Sequence, residues 1–392
     1  MKRIECNRRI VLAVTVPVSL KLMAGYPEYL ARQGWDVHVV SSPVRDQTFP
    51  EGVTFHAIPM RREPSPLRDL MALIGWVRLL WRLRPTVVVA GTPKAGLLGM
   101  MAAWSVRVRV RVYMLRGLRL ETESGPKRSL LHAMERISAR CATRVQSVSH
   151  SLRDEFVSLG LAPISKVVVL GPGSSNGVSV PPGRWSGQTT RADLGLDDSS
   201  HVVGFVGRMT KDKGLQDLLA AIQIMREAGS SVQGLLVGPE DTDGSVTDFL
   251  RDCSLDEGSI SWVGAVPEAL PYFPAMDVLC LPTRREGFPN VVLEAAVSGV
   301  PAVVSDVTGA RDSVIPGRTG VLVPPDNPDA LAAALTSLIS DTEGLELMGR
   351  SAREYVTQNF AREEIWELNR EFLETEISTN SQPCAPCKRE AT

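Results

Sequence analysis

The stretch DVLCLPTRREGFPNVVLEAAVSG, residues 277–299, joins an apolar strand to a helix through a polar loop. Asp277–Leu281 has the mostly apolar pattern of a buried strand. Pro289 and Asn290 stand where a helix begins, and Gly299 stands where it ends. A buried strand that leads directly into a helix is the repeating unit of a parallel α/β sheet.

Two glutamates flank the loop and the first turn of the helix in this stretch. We expect Glu286 above the carboxyl end of the strand and Glu294 one turn into the helix, facing the same crevice. Carboxylates accept hydrogen bonds from vicinal hydroxyls, so one can contact a sugar and the other a ribose. An ordinary acidic surface helix is the alternative. Unpaired N–H groups at the helix start can hold a diphosphate, within the segment Gly287, Phe288, Pro289 and Asn290.

Similar strand patterns recur along the chain, separated by amphipathic helical stretches. They indicate parallel sheets covered on both faces. Residues 181–198 lack such patterns and predict a linker. We therefore expect an α/β fold with two doubly wound, Rossmann-like domains, residues 1–180 and 199–360. The predicted strands are Ile10–Val16, Val37–Ser41, Val53–Ile58, Thr86–Ala90, Val110–Leu115, Arg144–Ser149, Lys166–Leu170, His201–Val206, Gln233–Val237, Ser259–Val263, Asp277–Leu281, Pro301–Ser305 and Gly320–Val323.

A basic segment follows the first predicted strand of the second series. Gly207 allows a tight turn, Arg208 can bind a phosphate through two hydrogen bonds, and Lys213 adds a second positive charge. The helix that begins next favours the same anion at its N-terminus. A solvated loop is the alternative for this segment taken alone.

The charges divide unevenly between the two halves. Residues 1–180 contain 26 Lys and Arg against 12 Asp and Glu, a net +14, and the remainder carries −15, although the whole chain has a net charge of −1. The basic half is expected to favour anionic surfaces or phosphate-bearing substrates, and nucleic acid is not an expected partner. The alternative is that basic and acidic faces complement each other across a cleft.

One apolar stretch, Leu70–Leu83, bears on the membrane question. Arg78 and Arg82 interrupt it, and it is shorter than the roughly 20 apolar residues of a spanning helix. It fits either a helix at a membrane interface or a helix that covers the sheet. Together with the charge asymmetry, it predicts peripheral attachment to an anionic membrane surface.

The N-terminus has the basic and apolar order of a signal peptide. However, Pro17 breaks the apolar run and Lys21 follows it without a cleavage site, so we predict that Ile10–Val16 is a buried strand. Four of the six cysteines are scattered, which indicates a reducing compartment. We therefore expect a cytoplasmic protein, peripheral on the inner face of the cytoplasmic membrane. No role is assigned to Cys384 and Cys387.

Together these motifs resemble the retaining glycosyltransferases of family 4, which have the GT-B fold. That resemblance implies that Glu286 contacts the donor sugar and Glu294 the ribose, while Arg208 and Lys213 stabilise the departing diphosphate. It also implies a helix at residues 361–377 that crosses back to the first domain, and the composition predicts a disordered tail at 378–392. The matching motifs span about residues 10–375 and include Gly207-Arg208, Lys213-Gly214, Val237-Gly238, Trp262-Val-Gly264, Glu286…Glu294 and Gly299-Val-Pro301.

The first domain resembles bacterial members that extend lipid-diphosphate-linked sugars in capsule, O-antigen or glycan assembly. The acceptor loops of many members carry a Gly-Gly pair and a histidine, but this chain has Pro17-Val18 and Pro93-Lys94 there. We therefore expect no acceptor-side histidine. The residues expected on the acceptor side are Pro17, Lys94, Arg116 and Arg119, and those on the donor side also include Gly207, Gly238 and Gly264.

The implied reaction moves a hexose or N-acetylhexosamine from a UDP-sugar to an acceptor hydroxyl, on a lipid-linked or other saccharide, without a metal or other cofactor. Asp241-Thr-Asp243 resembles a metal motif of another transferase fold but lacks its context, and residues 171–177 only approximate a dinucleotide loop. Two other function classes stay open. One is a sugar-nucleotide epimerase of similar architecture, and the other is a non-catalytic subunit that binds nucleotide sugars.

Overall fold

The computed structural model describes residues 8–44, 48–61, 63, 65–180, 189–240 and 258–380. These residues form two sheets, and the strand pairings within both are parallel. Each sheet is covered by helices and has its own buried apolar core. The predicted α/β architecture of two Rossmann-like domains is confirmed.

The first sheet has seven strands in the order β3-β2-β1-β4-β5-β6-β7. Its strands are β1 (Arg9–Ala13), β2 (Asp36–Ser41), β3 (Val53–Ala57), β4 (Val87–Gly91), β5 (Val110–Leu115), β6 (Arg144–Ser147) and β7 (Val167–Val169). The helices between them are α1 (Tyr26–Arg32), α2 (Pro66–Leu83), α3 (Pro93–Ser105), α4 (Gly125–Cys141) and α5 (His150–Ser158).

The second sheet has six strands in the order β10-β9-β8-β11-β12-β13. Its strands are β8 (His201–Val206), β9 (Val232–Val237), β10 (Ile260–Gly264), β11 (Val278–Leu281), β12 (Ala302–Ser305) and β13 (Gly320–Val323). Its described helices are α6 (Leu215–Glu227), α7 (Asn290–Val297), α8 (Pro328–Ser340) and α9 (Thr342–Asn359).

All thirteen predicted strands are present, with ends that differ by a few residues. The largest difference is at β1, which ends at Ala13 instead of Val16, because a 3-10 helix begins at Pro17. β1 is a central strand that pairs with β2 and β4 on either side, as the strand interpretation of this segment predicts.

The strand order reverses beside the first strand of each domain. In the first sheet the reversal lies between β1 and β4, and in the second it lies between β8 and β11. At such a switch point the following loops separate and leave a crevice at the carboxyl ends of the strands, where ligands of doubly wound folds bind. The loops after β8 and β11 are those that contain Gly207, Arg208 and Glu286.

The crossing helix expected at residues 361–377 is a separate helix in the structure. The helix α9 ends at Asn359 and the last helix, α10, is Arg362–Thr379. The two helices are separated where Val178 pairs with the backbone between them. The Val178 N–H donates to the carbonyl oxygen of Phe360 at 2.9 Å, and the Val178 carbonyl oxygen accepts from the N–H of Arg362 at 3.0 Å. The crossing helix therefore extends two residues into the predicted tail.

α10 crosses to the first domain, as the resemblance implied. Trp366 and Leu373 are buried in the core of the first domain. The Trp366 indole N–H donates to Asn176 at 2.7 Å, and Gln146 of β6 donates to Asn369 at 2.7 Å. Residues 181–188 of the linker, 381–392 of the tail and the Asp241–Asp243 motif lie outside the described residues.

The stretch Leu70–Leu83 forms most of α2 and covers the first sheet through Ala72, Trp76 and Leu80. Among the described residues, no helix combines the length and the apolar character that a bilayer crossing requires.

Candidate active site

A cleft opens between the domains, where the switch points of the two sheets face each other. It contains a cavity of about 520 Å³. The first domain lines it with the loops after β1, β4 and β5, and the second domain lines it with the loops after β8 and β11. The cleft is therefore a single space reached by loops from both domains, as a two-substrate reaction requires.

Three glycines lie side by side at the carboxyl ends of β8, β9 and β10. Gly207 and Gly238 have φ of 151° and 140°, and Gly264 has φ of 81°. A Cβ on Gly238 would lie 1.9 Å from the carbonyl oxygen of Gly207, so backbone packing excludes a larger residue there. A Cβ on Gly207 or Gly264 would meet nothing within 4 Å among the described atoms, so a ligand has room to approach this backbone.

Arg208 is exposed and lines the cleft. Within the described part of the chain its guanidinium forms no hydrogen bond or ion pair. A guanidinium in this state can bind a phosphate through two parallel hydrogen bonds.

Lys213 and Glu286 form an ion pair between the loops that follow β8 and β11. Their side chains are 23% and 13% exposed, so the pair is largely shielded from water. Gly214 makes the approach of the two loops possible, because at φ 66° a Cβ would lie 1.8 Å from the carbonyl oxygen of Pro282. Two residues predicted to act on one substrate are thus brought together.

A second set of polar residues in these loops was not predicted from the sequence. Arg285 binds Asp212 at 2.7 Å, Thr210 donates to the same carboxylate at 2.5 Å, and all three line the cleft. Burial would raise the pKa of Asp212, but the Thr210 hydroxyl and the charges of Arg285 and Lys213 outweigh burial and hold it below its ordinary value. The adjacency of Arg285 to Glu286 was the sequence signal that could have identified it.

Glu294 lies in α7, as predicted, and is half-buried. Desolvation raises the pKa of this carboxyl to about 7, Arg362 partly opposes the shift and Glu268 adds to it. Its charged neighbours are therefore Arg362 and Glu268, whereas Glu286 is paired with Lys213. A buried carboxylate with little compensation favours a ligand that donates hydrogen bonds.

The segment between the two glutamates contacts the first domain. The carbonyl oxygen of Gly287 accepts from Ser149 at 2.7 Å, and Ser174 donates to the Asn290 side chain at 3.2 Å. Phe288 packs against both domain cores and lies 5.4 Å from Phe360, centroid to centroid. Pro289 is the residue before α7.

Gly287 packs against Gly117 of the first domain and against Gly309 of its own domain. A Cβ on Gly287 would lie 2.2 Å from the carbonyl oxygen of Arg116 and 3.0 Å from the N atom of Gly117. A Cβ on Gly309 would lie 2.3 Å from the carbonyl oxygen of Gly287. Backbone packing at this point holds the loop containing Glu286 against the end of β5.

On the acceptor side, Lys94 lines the cleft but is not a free cation. It is buried, it pairs with Asp69 of α2 at 2.8 Å, and it donates to the carbonyl oxygen of Glu63. The ion pair therefore connects α2 to Lys94 in the lining of the cleft.

Arg116 and Arg119 also line the cleft. Burial lowers the pKa of Arg116 to about 10, so this side chain stays protonated at neutral pH, and its Nε has no hydrogen-bond partner in the described structure. Arg119 is exposed. Pro17 does not line the cavity, but it begins the 3-10 helix whose Ser19 does.

Comparison with known proteins identifies the family. Residues 24–173 match the model of a glycosyl transferase 4-like domain, and residues 200–341 match that of glycosyl transferases group 1. Over 362 residues the chain is 35% identical to the capsular polysaccharide biosynthesis glycosyltransferase CapM of Staphylococcus aureus, covering 92% of this chain and 95% of the relative. The chain is a group 1 glycosyltransferase.

This glycosyltransferase has the GT-B fold, as predicted. It is similar to the HepE protein of Anabaena in complex with UDP, with a TM-score of 0.73, 19% identity and coverage of 94% of this chain and 100% of the other. It is also similar to sucrose-phosphate synthase from Thermosynechococcus elongatus, with a TM-score of 0.76, 20% identity and coverage of 95% and 100%. At these identities the likeness shows the fold alone.

Proposed function

We propose that this glycosyltransferase moves a hexose or N-acetylhexosamine from a UDP-sugar to an acceptor hydroxyl, with retention of the anomeric configuration. The main support is the convergence of Arg208, Lys213 and Glu286 at the switch point of the second sheet. A nucleotide sugar needs cations at its diphosphate and a carboxylate at its sugar hydroxyls, and these loops supply both.

The Lys213–Glu286 ion pair suits a donor that enters between its two members. A diphosphate attracts Lys213 and Arg208, and the carboxylate of Glu286 then accepts hydrogen bonds from the sugar. As the bond to the anomeric carbon breaks, negative charge grows on the departing diphosphate and the two cations stabilise it. Glu286 positions the sugar or stabilises the positive charge that develops on it.

The proposed acceptor is a saccharide linked to a lipid diphosphate, in the assembly of capsule or another surface polysaccharide. The relative CapM is named for capsular polysaccharide biosynthesis. Arg116 and Arg119 add positive charge on the first-domain side of the cleft, where a second diphosphate would lie. The enzyme would then work at the inner face of the cytoplasmic membrane, held there peripherally by its basic first domain.

The proposed donor site works without a metal ion, because Arg208, Lys213 and the start of α7 already supply positive charge. UDP titrated in the presence of excess chelator should bind as tightly as it does with magnesium or manganese. Loss of affinity in the chelator, with recovery on adding either metal, would contradict this part of the proposal.

The decisive experiment is a panel of UDP-sugars incubated with lipid-diphosphate saccharides, with the product identified by mass and its linkage and anomeric configuration by NMR. Arg208→Ala should reduce transfer, and Lys211→Ala is the matched control, because Lys211 is exposed in the same loop and does not line the cleft. Epimer or free UDP formed without an acceptor would indicate an epimerase. Donor binding without transfer to any acceptor would indicate a binding subunit.

A further inference from the structure

The outer surface of the first domain is formed by α2, α3 and α4, which pack side by side. They lie on one face of the sheet, because the crossovers that contain them run in the same direction along it, whereas α1 and α10 cover the other face. This layer therefore faces away from the last helix, and the exposed side chains considered below are not covered by the second domain.

α2 presents an apolar stripe on its outer side. Leu67, Leu70, Ile74 and Trp81 recur at the spacing of one helix face, opposite the buried Ala72, Trp76 and Leu80. Leu67 and Trp81 are 79% and 67% exposed, which is unusual for side chains of this size. On the neighbouring helices of the same layer, Trp104 of α3 and Leu130 and Ile137 of α4 are exposed as well.

Basic side chains accompany the apolar stripe. α2 exposes Arg68, Arg78 and Arg82, and α4 exposes Lys127, Arg128, Arg136 and Arg140. Both acidic residues of these three helices are partnered, since Asp69 pairs with Lys94 and the buried Glu135 accepts a hydrogen bond from Tyr113. The layer thus exposes cations and apolar groups on its helices but no free carboxylate.

A groove beside α2 has the same character. It has a volume of about 890 Å³ and lies between β3 and α2, with apolar walls that include Phe55, Ile58 and Met71. Arg68, Arg78 and Arg82 line it as well. The groove extends the apolar surface of the helix inward, next to the same three cations.

We propose that the outer surface of α2, α3 and α4 is the membrane-docking face of this enzyme, and that α2 lies in the interface of an anionic bilayer with Leu70 and Trp81 among the acyl chains. Charge complementarity identifies the partner. The arginines beside the stripe match the anionic head groups of a bilayer, and the apolar side chains match its acyl chains, with no free carboxylate on these helices to oppose binding. The inference rests on the proposed peripheral attachment and assigns it to particular residues.

Insertion of apolar side chains into the bilayer can be distinguished from binding by charge alone through its dependence on salt. At about 1 M salt the screening length falls to roughly 3 Å, so attraction between exposed charges is largely lost. Burial of apolar side chains is not screened. The Asp69–Lys94 pair would then connect the docked helix directly to the cleft, so docking places the acceptor side of the site next to the membrane.

The test is sedimentation of the full chain with vesicles of equal parts phosphatidylglycerol and phosphatidylcholine. Leu70→Ser combined with Trp81→Ser should weaken binding roughly tenfold or more and should abolish the fraction that resists high salt. Leu347→Ser is the matched control, because Leu347 is a 57% exposed apolar residue of the second domain, and its binding should equal that of the unmodified chain. Arg78→Ala combined with Arg82→Ala should weaken binding mainly at low salt.

A second measurement reports insertion directly. Phosphatidylcholine brominated in its acyl chains should quench part of the tryptophan fluorescence, and Trp81→Phe combined with Trp104→Phe should remove that part, because both side chains are exposed on the proposed face. Equal vesicle binding by the Leu70/Trp81 variant and the unmodified chain would overturn the proposal. So would dimerisation of the unmodified chain that the variant abolishes while vesicle binding is unchanged.

Transfer assays separate this inference from the proposed function. The Leu70/Trp81 variant should keep full activity on a short-chain, water-soluble acceptor and lose activity on the same acceptor lipid embedded in vesicles. Absence of transfer by the unmodified chain with every acceptor would refute the proposed function and leave the vesicle-binding result standing.

Discussion

At the scale of single residues, the pairing of Lys213 with Glu286 changes what each substitution should do. Glu286→Gln removes the partner of Lys213, which leaves that ammonium free for the diphosphate. UDP affinity should therefore be kept or improved, whereas transfer should fall by about a hundredfold or more, because the carboxylate that we propose acts on the sugar is lost. Calorimetric titration of UDP and initial-rate measurements check the two effects separately.

Glu294 should behave in the opposite way. If it binds the ribose, Glu294→Gln replaces a charge-assisted hydrogen bond and should weaken UDP binding about tenfold to a hundredfold. Both variants conserve the shape of the side chain, so the difference between their UDP affinities reports the role of each carboxylate. Equal loss of UDP affinity in the two variants would remove the assignment of sugar and ribose roles.

Burial of Glu294 also predicts a pH dependence of stability. Its pKa is raised to about 7 in the folded protein, mainly by desolvation, so the folded state holds a proton that the unfolded state releases near pH 4.5. Below pH 4.5 the carboxyl is protonated in both states and does not lower the free energy of unfolding. As the pH rises from 4.5 to 7, it lowers the free energy of unfolding by a growing amount. Glu294→Gln should be more stable than the unmodified chain by about 1–3 kcal/mol at pH 8 and equal to it at pH 4.

Urea denaturation at the two pH values measures this difference. Glu346→Gln is the control, because Glu346 is exposed on α9 and should give the same stability as the unmodified chain at both pH values. A Glu294→Gln variant that is less stable at pH 8 would show that the carboxylate is compensated in the folded state.

Most of these residues could be proposed from the sequence because their chemistry is local. Arg208 and Glu286 stand in loops that follow central strands, and the carboxyl ends of central parallel strands meet at a switch point. The pairing of Lys213 with Glu286 could not be predicted, because it depends on how closely two loops approach at Gly214. The pairing of Lys94 with Asp69 could not be predicted for a similar reason, since Asp69 lies 25 residues earlier on another helix.

At the scale of elements, the strand pattern was sufficient for both sheets, because buried parallel strands are continuous apolar runs. At the C-terminus the expected crossing helix begins at residue 361 and α10 begins at Arg362. The pairing of Val178 with Phe360 and Arg362 just before that helix joins residues almost 200 positions apart and could not be predicted.

The contact between the loop after β11 and the end of β5 gives a prediction at this scale. Gly287→Ala should force the domains apart, because its Cβ would lie 2.2 Å from the backbone of Arg116. Transfer should fall at least tenfold, since both substrates must meet in one cleft, while UDP binding to the second domain should change little. Small-angle scattering should show a larger radius of gyration than in the unmodified chain.

Gly34→Ala is a demanding control for that prediction. Gly34 has φ of 81° and nothing lies within 4 Å of a Cβ there, so the substitution strains the backbone without touching the other domain. It should cost about 1 kcal/mol of stability and leave transfer and scattering unchanged. If Gly287→Ala gives the same scattering and activity as Gly34→Ala, the glycine contact does not set the domain spacing.

At the scale of the whole molecule, two features of the chain act across the domain boundary. The outer helical layer of the first domain contains eight Lys and Arg against two Asp and Glu, or +6 of that domain's +14, and a partner outside the molecule can reach this charge. The last helix, α10, joins the two domains, because it follows the second domain in sequence and completes the core of the first. Its Trp366 lies against Tyr26 and Tyr29, with ring centroids 6.3 and 5.4 Å away.

Trp366→Ala should therefore uncouple the domains. The truncation leaves a cavity at the junction and an unpaired Asn176, a cost of about 3–5 kcal/mol to the first domain. We expect two thermal transitions in place of one, and UDP should raise only the upper transition, because a ligand stabilises the unit that binds it. Leu368→Ala, on the exposed side of the same helix, should keep one transition that UDP shifts as a whole. A single transition in Trp366→Ala, moved by UDP as in the unmodified chain, would mean that the glycine contact and the remaining hydrogen bonds of α10 are enough to join the domains.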